Sequence, residues 1–374
     1  METPFIFGLP ATDQHFIGRE KETERLSLNL QNGVNTLLIS PRRIGKTSLV
    51  KKVISDNNSA RLRFVYLDTF PCRSEYDFYN AFAAAILKQT ASHFEEWREN
   101  ATNFLGRLIP KLSFSPAPEA DLSISLGINP KTHAPDEILN LPQLIAIKKD
   151  CRVVICIDEF QQIGEFPDAL SVQKKMRSVW QHQDKVTYCL FGSKKHLMET
   201  LFQKRSYPFF KFGDLMYLDV IPTEKWIPYL CSRFEERGKK LPETLAVKIC
   251  ESVKNNSYYV QQLAWLTLLN TEGETTEEQF QAAFQDLIVQ NAPVFAQQTE
   301  HLTTYQMNFL RAILDEIHTD FGSEKTREEY NLGTYSNINR IKNALVERDL
   351  IDTTPNGTFI ADPVMLPWLR QTLN

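Results

Sequence analysis

The stretch from residue 37 to residue 50, LLISPRRIGKTSLV, constrains the fold of this chain more than any other segment. It runs from an apolar segment typical of a buried strand, through a short loop, into a segment with a helical pattern. A Gly-Lys-Thr tripeptide in a strand–loop–helix setting is typical of a phosphate-binding loop. The usual pattern, G-x-x-x-x-G-K-[ST], begins with glycine, and Ser40 takes that position here.

We expect the serine to be tolerated, because it is small and because Pro41 fixes φ near about −65° where the chain leaves the strand. In this setting the backbone N–H groups of residues 43–47 would face the β-phosphate at a helix N-terminus. Lys46 would reach the β- and γ-phosphates, and Thr47 would ligate Mg²⁺. The predicted nucleotide-binding residues of the loop are Ser40, Pro41, Arg42, Arg43, Ile44, Gly45, Lys46, Thr47 and Ser48.

Short apolar runs alternate with helical stretches over roughly the first 221 residues, at 36–40, 62–68, 153–158, 186–191 and 216–220. Continuous apolar runs of this length are typical of parallel strands buried on both faces. Their alternation with helices predicts an α/β fold with a P-loop NTPase-like parallel-sheet core. Several runs end in a polar residue, at the edge where open parallel sheets bind ligands.

The segment VVICIDEF, residues 153–160, is an apolar strand that ends in an acidic pair. We expect Asp158 to hold Mg²⁺ through water and Glu159 to orient or deprotonate the attacking water. A buried strand followed by an acidic helix cap is the alternative, and the upstream Gly-Lys-Thr favours the catalytic interpretation.

Ser193 follows the strand at 186–191 and has two interpretations that the sequence leaves open. It is placed to contact the γ-phosphate or the attacking water, as a small polar residue at the end of the next strand. It is equally suited to cap the helix predicted at 194–202, because serine is a favoured N-cap. Gln183, before the strand, is a weaker candidate for the same catalytic role.

The pattern becomes helical from residue 223 to 291, with helices predicted at 223–237, 242–254, 258–270 and 276–291. Three further helices, at 302–317, 324–331 and 335–348, precede a strand–turn–strand at 350–362 with Asn356-Gly357 at the turn. This order is typical of a winged helix-turn-helix domain. We therefore predict an ATPase-like core at 1–221 with an insertion at about 110–135, an all-α lid at 222–295 and a winged helix at 296–374. The stretch 114–130 is predicted as either a hairpin or a loop.

Several segments together resemble the archaeal-type ATPase family of AAA+/STAND P-loop ATPases, which also occurs in bacteria. They are FIGREKETERL, SPRRIGKTSL, VVICIDEFQQI, QHQDKVTYCLFGSKKHLM, PFF, SYYVQQLA and the ending FIADPVMLPWL. The resemblance runs from residue 16 to the C-terminus. It implies an AAA+ core, a helical lid and a winged helix, with ATP as the expected nucleotide.

The resemblance also implies functional residues outside the phosphate loop. Phe16, Ile17, Gly18 and Arg19 match the family's N-terminal box, which packs by the adenine. The lid motif, usually G-x-P-Y-Y, reads NNSYY here, so both Gly and Pro are absent. Tyr258 and Tyr259 are therefore expected to pack into the lid core rather than sense nucleotide.

The family often carries an arginine in a P-x-x-x-R pattern before the last core strand, where it reaches a neighbouring subunit's nucleotide. Lys211 follows Pro208 here, and Arg205 lies just upstream. Both are candidate arginine-finger positions in a homo-oligomer, although lysine lacks the forked guanidinium that suits this role.

DNA binding by the winged helix is implied by the resemblance but not supported by charge. Residues 301–374 contain 7 Lys and Arg against 10 Asp and Glu, a net charge of −3, and phosphate neutralisation is the main source of DNA affinity. The predicted recognition helix nevertheless offers base-reading side chains on its outward positions: Asn337, Asn339, Arg340 and Lys342. The alternative is a solvated helix in a domain used for protein contacts or oligomerisation, with Ile338, Ile341 and Leu345 facing inward.

The whole chain has a net charge of −4, so no global basic field draws it to nucleic acid or membranes. It has no apolar run of 18 residues and no signal-peptide pattern, which leads us to expect a cytoplasmic protein. We predict a Mg²⁺-dependent ATPase, with slow turnover, that couples ATP binding and hydrolysis to conformational change or partner remodelling. The alternatives are a nucleotide-gated switch and a DNA-binding regulator with little turnover.

Overall fold

The computed structural model describes residues 3–91 and 135–373 of the chain. The described residues from Arg19 to Asp219 form one unit, and residues 3–18 pack with residues 220–373 in a second unit. The predicted division grouped residues 1–18 with the core, whereas the structure groups residues 3–18 with the C-terminal unit. Most of the predicted insertion at 110–135, and the whole of 114–130, lies outside the described residues. Within the described part of the chain, no helix is both long and apolar enough to cross a membrane.

The N-terminal unit contains a five-stranded parallel sheet of strand order β2-β3-β4-β1-β5. The strands are β1 (Thr36–Ile39), β2 (Leu62–Asp68), β3 (Arg152–Asp158), β4 (Val186–Gly192) and β5 (Asp214–Tyr217). In the register of the sheet, Ile39 pairs with Gly192 and Asp68 pairs with Asp158. The carboxyl ends of these strands therefore lie along one edge. The five predicted strands are all present; β2 has the predicted bounds, and the ends of the others shift by up to three residues.

Helices accompany these strands, and the central strands of the sheet are buried. The helices are α1 (Glu20–Gln31), α2 (Lys46–Asn57), α3 (Glu75–Thr90), α4 (Pro135–Leu139), α5 (Leu141–Lys148), α6 (Ala169–Trp180) and α7 (Lys195–Gln203). A short 3-10 helix, Phe160–Glu165, follows β3. Every residue of β1 and β4 is buried, as expected for parallel strands covered on both faces. Aromatic rings fill one side of the core, with Trp180 stacked on Tyr188 at a centroid distance of 4.1 Å.

The second unit begins with four helices: α8 (Thr223–Glu235), α9 (Glu243–Ser252), α10 (Ser257–Asn270) and α11 (Glu277–Thr299). The predicted end of α11 at residue 291 is wrong, because the helix continues through Pro293 to Thr299. Proline removes one helical hydrogen bond, but Phe295, one turn beyond the expected end, is only 2% exposed. Burial of that side chain holds the extra turns in place, so the predicted boundary at 295/296 falls inside a helix.

The remaining elements follow the predicted winged helix order. They are α12 (Thr304–Leu314), α13 (Glu324–Glu329), α14 (Tyr335–Glu347), the antiparallel strands β6 (Ile351–Thr354) and β7 (Gly357–Ile360), and α15 (Met365–Leu373). Thr354 pairs with Gly357, so Pro355 and Asn356 form the hairpin loop and Gly357 opens β7. A Cβ on Gly357 would lie 2.9 Å from the carbonyl oxygen of His318, and its φ is +137°. Glycine is therefore required there by close backbone approach.

The segment before residue 19 lies on the helices of the second unit. Phe5 is buried, with its ring against the rings of Tyr229 and Phe234. Gln261 accepts a hydrogen bond from the Ile6 backbone N–H at 2.8 Å. These contacts place the first described residues in the C-terminal unit.

Candidate nucleotide site

The loop between β1 and α2, residues 40–45, has the backbone of an anion-binding turn. Arg43 and Gly45 have φ angles of 63° and 95°, and left-handed residues alternating with ordinary ones turn successive N–H groups toward one side. Glycine adopts this conformation without strain, so Gly45 is required by the backbone although a Cβ there would meet no other atom. The loop leads directly into α2, whose N-terminus favours negative charge.

Ser40, which replaces the first glycine of the usual pattern, adds a hydrogen bond to the loop. It is 1% exposed, and its Oγ donates to the carbonyl oxygen of Pro41 at 3.0 Å. The same oxygen accepts a hydrogen bond from Lys46 Nζ at 2.9 Å. The substitution is therefore compatible with the turn and tightens it. Of the neighbouring predicted residues, Arg42 and Arg43 are exposed, whereas Ile44 and Ser48 are buried.

Lys46 is an ammonium group that is nearly withdrawn from solvent, with 6% of the residue exposed. Burial lowers its pKa to about 8, and the negative charges of Glu159 and Asp158 act in the opposite direction. A buried charge is costly unless it is paired. An anion bound in the loop would supply that pairing.

Asp158 collects hydrogen bonds at the carboxyl end of β3. Its Oδ2 accepts from Thr47 Oγ1 at 2.9 Å and from the Tyr66 hydroxyl at 2.7 Å. Its Oδ1 accepts from the backbone N–H of Glu159 at 2.8 Å. Burial raises the pKa of Asp158, and the hydrogen bonds from Tyr66 and Thr47 oppose that rise. The structure thus joins the predicted Thr47 and Asp158 directly.

The Thr47 hydroxyl and the Asp158 carboxylate fit a Mg²⁺ ion that is bound together with a nucleotide. Both are hard oxygen ligands, and Mg²⁺ is usually held by one or two carboxylates plus substrate phosphates rather than by an all-protein cage. No group of three or more His, Cys, Asp or Glu side chains with metal-binding geometry occurs among residues 3–91 and 135–373. A Mg²⁺ ion at these two side chains would take its remaining ligands from phosphate and water.

Glu159 lies in a strained backbone conformation, with φ of 52°, which is uncommon for residues other than glycine. The hydroxyl of Thr69 donates to the carbonyl oxygens of Asp158 and Glu159 at 2.7 and 2.9 Å, which supports this turn. Glu159 Oε2 accepts hydrogen bonds from Ser193 Oγ at 2.9 Å and from Gln161 Nε2. The carboxylate is thereby turned toward the end of β4.

Ser193 does not cap a helix. The N-cap of α7 is Lys194, which makes no side-chain capping bond, while the Ser193 hydroxyl is engaged by Glu159. Gln183 precedes β4 and therefore lies at the amino end of that strand, whereas Ser193 follows its carboxyl end. The Gln183 side chain accepts a hydrogen bond from the Tyr188 hydroxyl and donates one to the carbonyl oxygen of Leu139. Of the two interpretations of Ser193, the geometry thus favours the one that involves the carboxyl edge of the sheet.

Gln161 reaches Glu159 only because residue 192 is glycine. A Cβ at Gly192 would lie 1.7 Å from Gln161 Oε1 and 2.9 Å from its Cδ. Gln161 is 3% exposed, and its Oε1 has no hydrogen-bond partner within the described part of the chain. Gly192 therefore leaves the space that Gln161 needs to hold the Glu159 carboxylate.

Arg19 is the residue of the predicted N-terminal box that the structure brings to the phosphate loop. It is 3% exposed and donates to the carbonyl oxygen of Ile44 at 3.0 Å and to Glu22 at 2.9 Å. Burial lowers its pKa, and the Glu22 carboxylate opposes this. Arg19 therefore stabilises the phosphate loop through its backbone at Ile44. The rest of the box, residues 16–18, belongs to the second unit.

The candidate finger residues are on the surface of the N-terminal unit. Arg205 and Lys211 are both exposed. Lys211 Nζ lies 5.6 Å from the centroid of the Phe210 ring.

The two lid tyrosines pack within the second unit as expected. Tyr259 is 1% exposed and donates from its hydroxyl to Asp362 Oδ2 at 2.7 Å. Tyr258 is half-buried, edge-on to the rings of Phe7 and Tyr259. Asp362 Oδ1 also accepts from the backbone N–H of Val364, so the lid is tied to the last turn before α15.

The candidate DNA-reading side chains of α14 differ in availability. Asn339 and Arg340 are exposed, whereas Asn337 and Lys342 are half-buried. Asn337 donates to the carbonyl oxygen of Leu332 at 3.1 Å and accepts from Arg340 at 2.9 Å, so it mainly fixes the start of the helix. Lys342 lines a cavity of about 530 Å³ beside the hairpin. The inward face is as predicted, with Ile338, Ile341 and Leu345 buried.

Tyr66, Thr69 and Gln161 make hydrogen bonds to Asp158 or Glu159 and were not predicted from the sequence. Tyr66 lies within an apolar strand run, where its ring is typical of core packing. Gln161 lies in the segment after the acidic pair, and nothing in that segment indicates a contact with Glu159. Their side chains contact residues from other strands, and the pattern of one strand does not predict which residues of a neighbouring strand lie beside it.

Comparison with known proteins bears on the fold. The family described as "Probable winged helix domain" matches residues 293–371. The Walker-type ATPase PABY2304 of Pyrococcus abyssi is similar over 98% of this chain and 100% of that one, with 15% identity and a TM-score of 0.71. ORC2 of Aeropyrum pernix, solved as ADPNP-ADP complexes, is similar over 96% and 97%, with 15% identity and a TM-score of 0.55.

ORC1 of Aeropyrum pernix, solved in complex with DNA, is similar over 99% of this chain and 98% of that one, with 13% identity and a TM-score of 0.51. A search of curated proteins finds no match. The α/β fold class and the resemblance inferred from the motifs are confirmed. The chain thus has the fold of the archaeal Walker-type ATPases and ORC proteins of the AAA+ class, a parallel P-loop core and helices that end in a winged helix domain.

Proposed function

We propose that the chain binds Mg²⁺ and ATP at the phosphate loop, hydrolyses ATP, and uses the change of state to remodel a partner. One observation carries this proposal. Three strands deliver Lys46 and Thr47, Asp158 and Glu159, and Ser193 to one edge of the sheet, linked by hydrogen bonds of 2.9 Å. An ATPase-type function is also supported by the similar folds of the P. abyssi and A. pernix proteins.

The phosphate loop would bind the β- and γ-phosphates. The N-terminus of α2 and the turn at residues 43–45 supply backbone N–H groups, and Lys46 supplies a buried positive charge whose Nζ donates a hydrogen bond to the carbonyl oxygen of Pro41. Thr47 and Asp158 would hold Mg²⁺, directly and through water. When bound, Mg²⁺ neutralises phosphate charge.

Glu159 would orient and deprotonate the attacking water. One carboxylate oxygen is held by Ser193 and Gln161, which leaves the other oxygen to accept a proton. Ser193 would keep the carboxylate at the edge of the sheet where the γ-phosphate is expected, so it acts with Glu159 as one unit. Oriented acid–base groups of this kind contribute about 10²–10⁴-fold to rates.

Adenine contact by Phe16, Ile17 and Gly18 remains part of the proposal, as does a trans-acting role for Arg205 or Lys211 in a homo-oligomer. The exposure of both cationic side chains supports availability to a neighbour. Gly18 has φ of +64°, and a Cβ there would lie 2.7 Å from Ile221. The box glycine is thus required by its own backbone.

Binding is tested by isothermal titration of ATP with Mg²⁺ into the wild-type protein, Lys46→Ala and Lys52→Ala. Lys52 is on the same helix, pairs with Asp56 and is partly exposed, which makes it a matched control. We expect Lys46→Ala to weaken binding at least about tenfold, because a buried charge-assisted contact with phosphate is lost. Lys52→Ala should bind as the wild type does. Equal binding by wild type and Lys46→Ala would contradict the assignment of the loop, and binding without turnover would instead identify a nucleotide-gated switch.

DNA binding is the second candidate function, favoured by the exposed Asn339 and Arg340 on the outward face of α14. The domain's net charge of −3 opposes it. The test is duplex binding at low and moderate salt by wild type and by Arg340→Ala/Lys342→Ala. Salt-sensitive binding that the double variant loses would support this function. No binding at low salt would exclude it.

A further inference from the structure

Tyr66 is a side chain of β2 that reaches the candidate metal site. Its hydroxyl donates to Asp158 Oδ2 at 2.7 Å, and the same oxygen accepts from Thr47 Oγ1 at 2.9 Å. Asp158 Oδ1 accepts from the Glu159 backbone N–H. The carboxylate is therefore oriented from three directions: the phosphate loop, its own strand, and the neighbouring strand.

Tyr66 is itself held in place through both polar groups of its backbone. Among residues 3–91 and 135–373, β2 is an edge strand, so the backbone groups on its outer side have no further described strand to pair with. Gln89 of α3 fills that role, since its Oε1 accepts from the Tyr66 N–H at 2.9 Å and its Nε2 donates to the Tyr66 carbonyl at 2.8 Å. A single side chain thus pins the position from which the hydroxyl reaches Asp158.

The ring of Tyr66 is also located by its neighbours. The Phe191 ring lies at a centroid distance of 6.3 Å, and Lys51 Nζ lies 5.5 Å from the centroid of the Tyr66 ring. These contacts need only the ring and would be the same with phenylalanine. The hydroxyl is the part of the residue that packing alone does not explain.

We infer that Tyr66 is a positioning residue for the metal site, whose hydroxyl sets the orientation of the Asp158 carboxylate toward the metal bound with the nucleotide. The inference rests on the proposed function. Groups that orient a metal-binding side chain typically change metal affinity by about 10–100-fold when they are removed. Tyr66 makes its hydrogen bond to Asp158 and not to the phosphate loop, so its hydroxyl should matter only when metal is present.

The experiment compares wild type, Tyr66→Phe and Tyr188→Phe in equilibrium binding of a fluorescent ADP analogue. Tyr188 is a matched control, because its hydroxyl also donates to a side chain, Gln183 at 2.6 Å, within the same unit. Each protein is titrated with the analogue in EDTA, and then with Mg²⁺ at a fixed concentration of analogue. Thermal unfolding of each variant is recorded in parallel.

We expect Tyr66→Phe to raise the Mg²⁺ concentration at half-maximal enhancement of binding by about tenfold, with affinity in EDTA within about twofold of wild type. Tyr188→Phe should leave both quantities at wild-type values. An unchanged Mg²⁺ midpoint in Tyr66→Phe overturns the inference, and so does an equal loss of affinity with and without metal, which would indicate a general packing role. Absence of nucleotide binding by the wild type overturns the proposed function, and the inference with it.

Discussion

The substitution Gly192→Ala should lower turnover at the candidate site without changing a residue that is proposed to bind nucleotide. The new Cβ would lie 1.7 Å from Gln161 Oε1, and ordinary contacts begin near 3.4 Å. The Gly192 backbone itself has no positive φ, so alanine is conformationally acceptable there. Gln161 therefore has to withdraw by more than an ångström, and it loses its hydrogen bond to Glu159.

Two magnitudes follow from the loss of that bond. A hydrogen bond to a charged group contributes about 1.5–3 kcal/mol to stability, and replacing glycine by alanine returns about 0.4–1 kcal/mol through the unfolded state. The free energy of unfolding should therefore fall by about 0.5–2.5 kcal/mol. If Gln161 supplies about 1.4 kcal/mol of transition-state stabilisation through Glu159, turnover falls about tenfold.

Phosphate release at saturating Mg²⁺ and ATP measures the effect on turnover, and urea denaturation measures stability. Gly164→Ala is the matched control, because Gly164 lies in the same 3-10 helix as Gln161 and a Cβ there meets no atom within 4 Å. Gln161→Ala should reproduce the loss of turnover, and the double variant should add little to it. Wild-type turnover in Gly192→Ala, with Gln161→Ala impaired, would refute the steric reasoning.

Two further predictions concern charge and stability. Burial lowers the pKa of Lys46 to about 8, and phosphate binding needs the protonated ammonium. The affinity for ADP in EDTA should therefore be highest below pH 8 and should fall by up to about tenfold per pH unit above it. Lys46→Met should abolish this pH dependence. Tyr259→Phe should lower the free energy of unfolding by about 1–2 kcal/mol in urea denaturation, because a buried hydroxyl bonded to a carboxylate is lost. The exposed pair of Tyr330 with Asp315 provides the contrast, and Tyr330→Phe should change stability by less than about 0.5 kcal/mol.

Much of the fold could be predicted because a strand that is buried on both faces has a continuous run of apolar residues. The run from Val153 to Ile157 is apolar at every position, as a central parallel strand requires. Once the strands are parallel, their carboxyl ends must share an edge. The proximity of Lys46, Asp158 and Ser193 then follows from topology, without knowledge of any side-chain conformation.

The remaining details depend on contacts between strands, which no single segment encodes. Tyr66 reaches Asp158 because of the register of β2 and β3, and Gln161 fits only where Gly192 leaves room. The passage of α11 through Pro293 depends on burial of Phe295, which outweighs the local cost of proline. Ser193 had two equal interpretations until the position of Glu159 separated them.

We expect Glu159 to drive the hydrolysis of ATP bound at the phosphate loop. The most direct test of this role is phosphate release by wild type, Glu159→Gln and the control Glu165→Gln, with ATP affinity measured for each. Glu165 is a partly exposed carboxylate six residues further on that pairs with Lys194. We predict that Glu159→Gln binds ATP with wild-type affinity and hydrolyses it at least about 100-fold more slowly, while Glu165→Gln keeps wild-type turnover. Hydrolysis at the wild-type rate by Glu159→Gln would contradict the account.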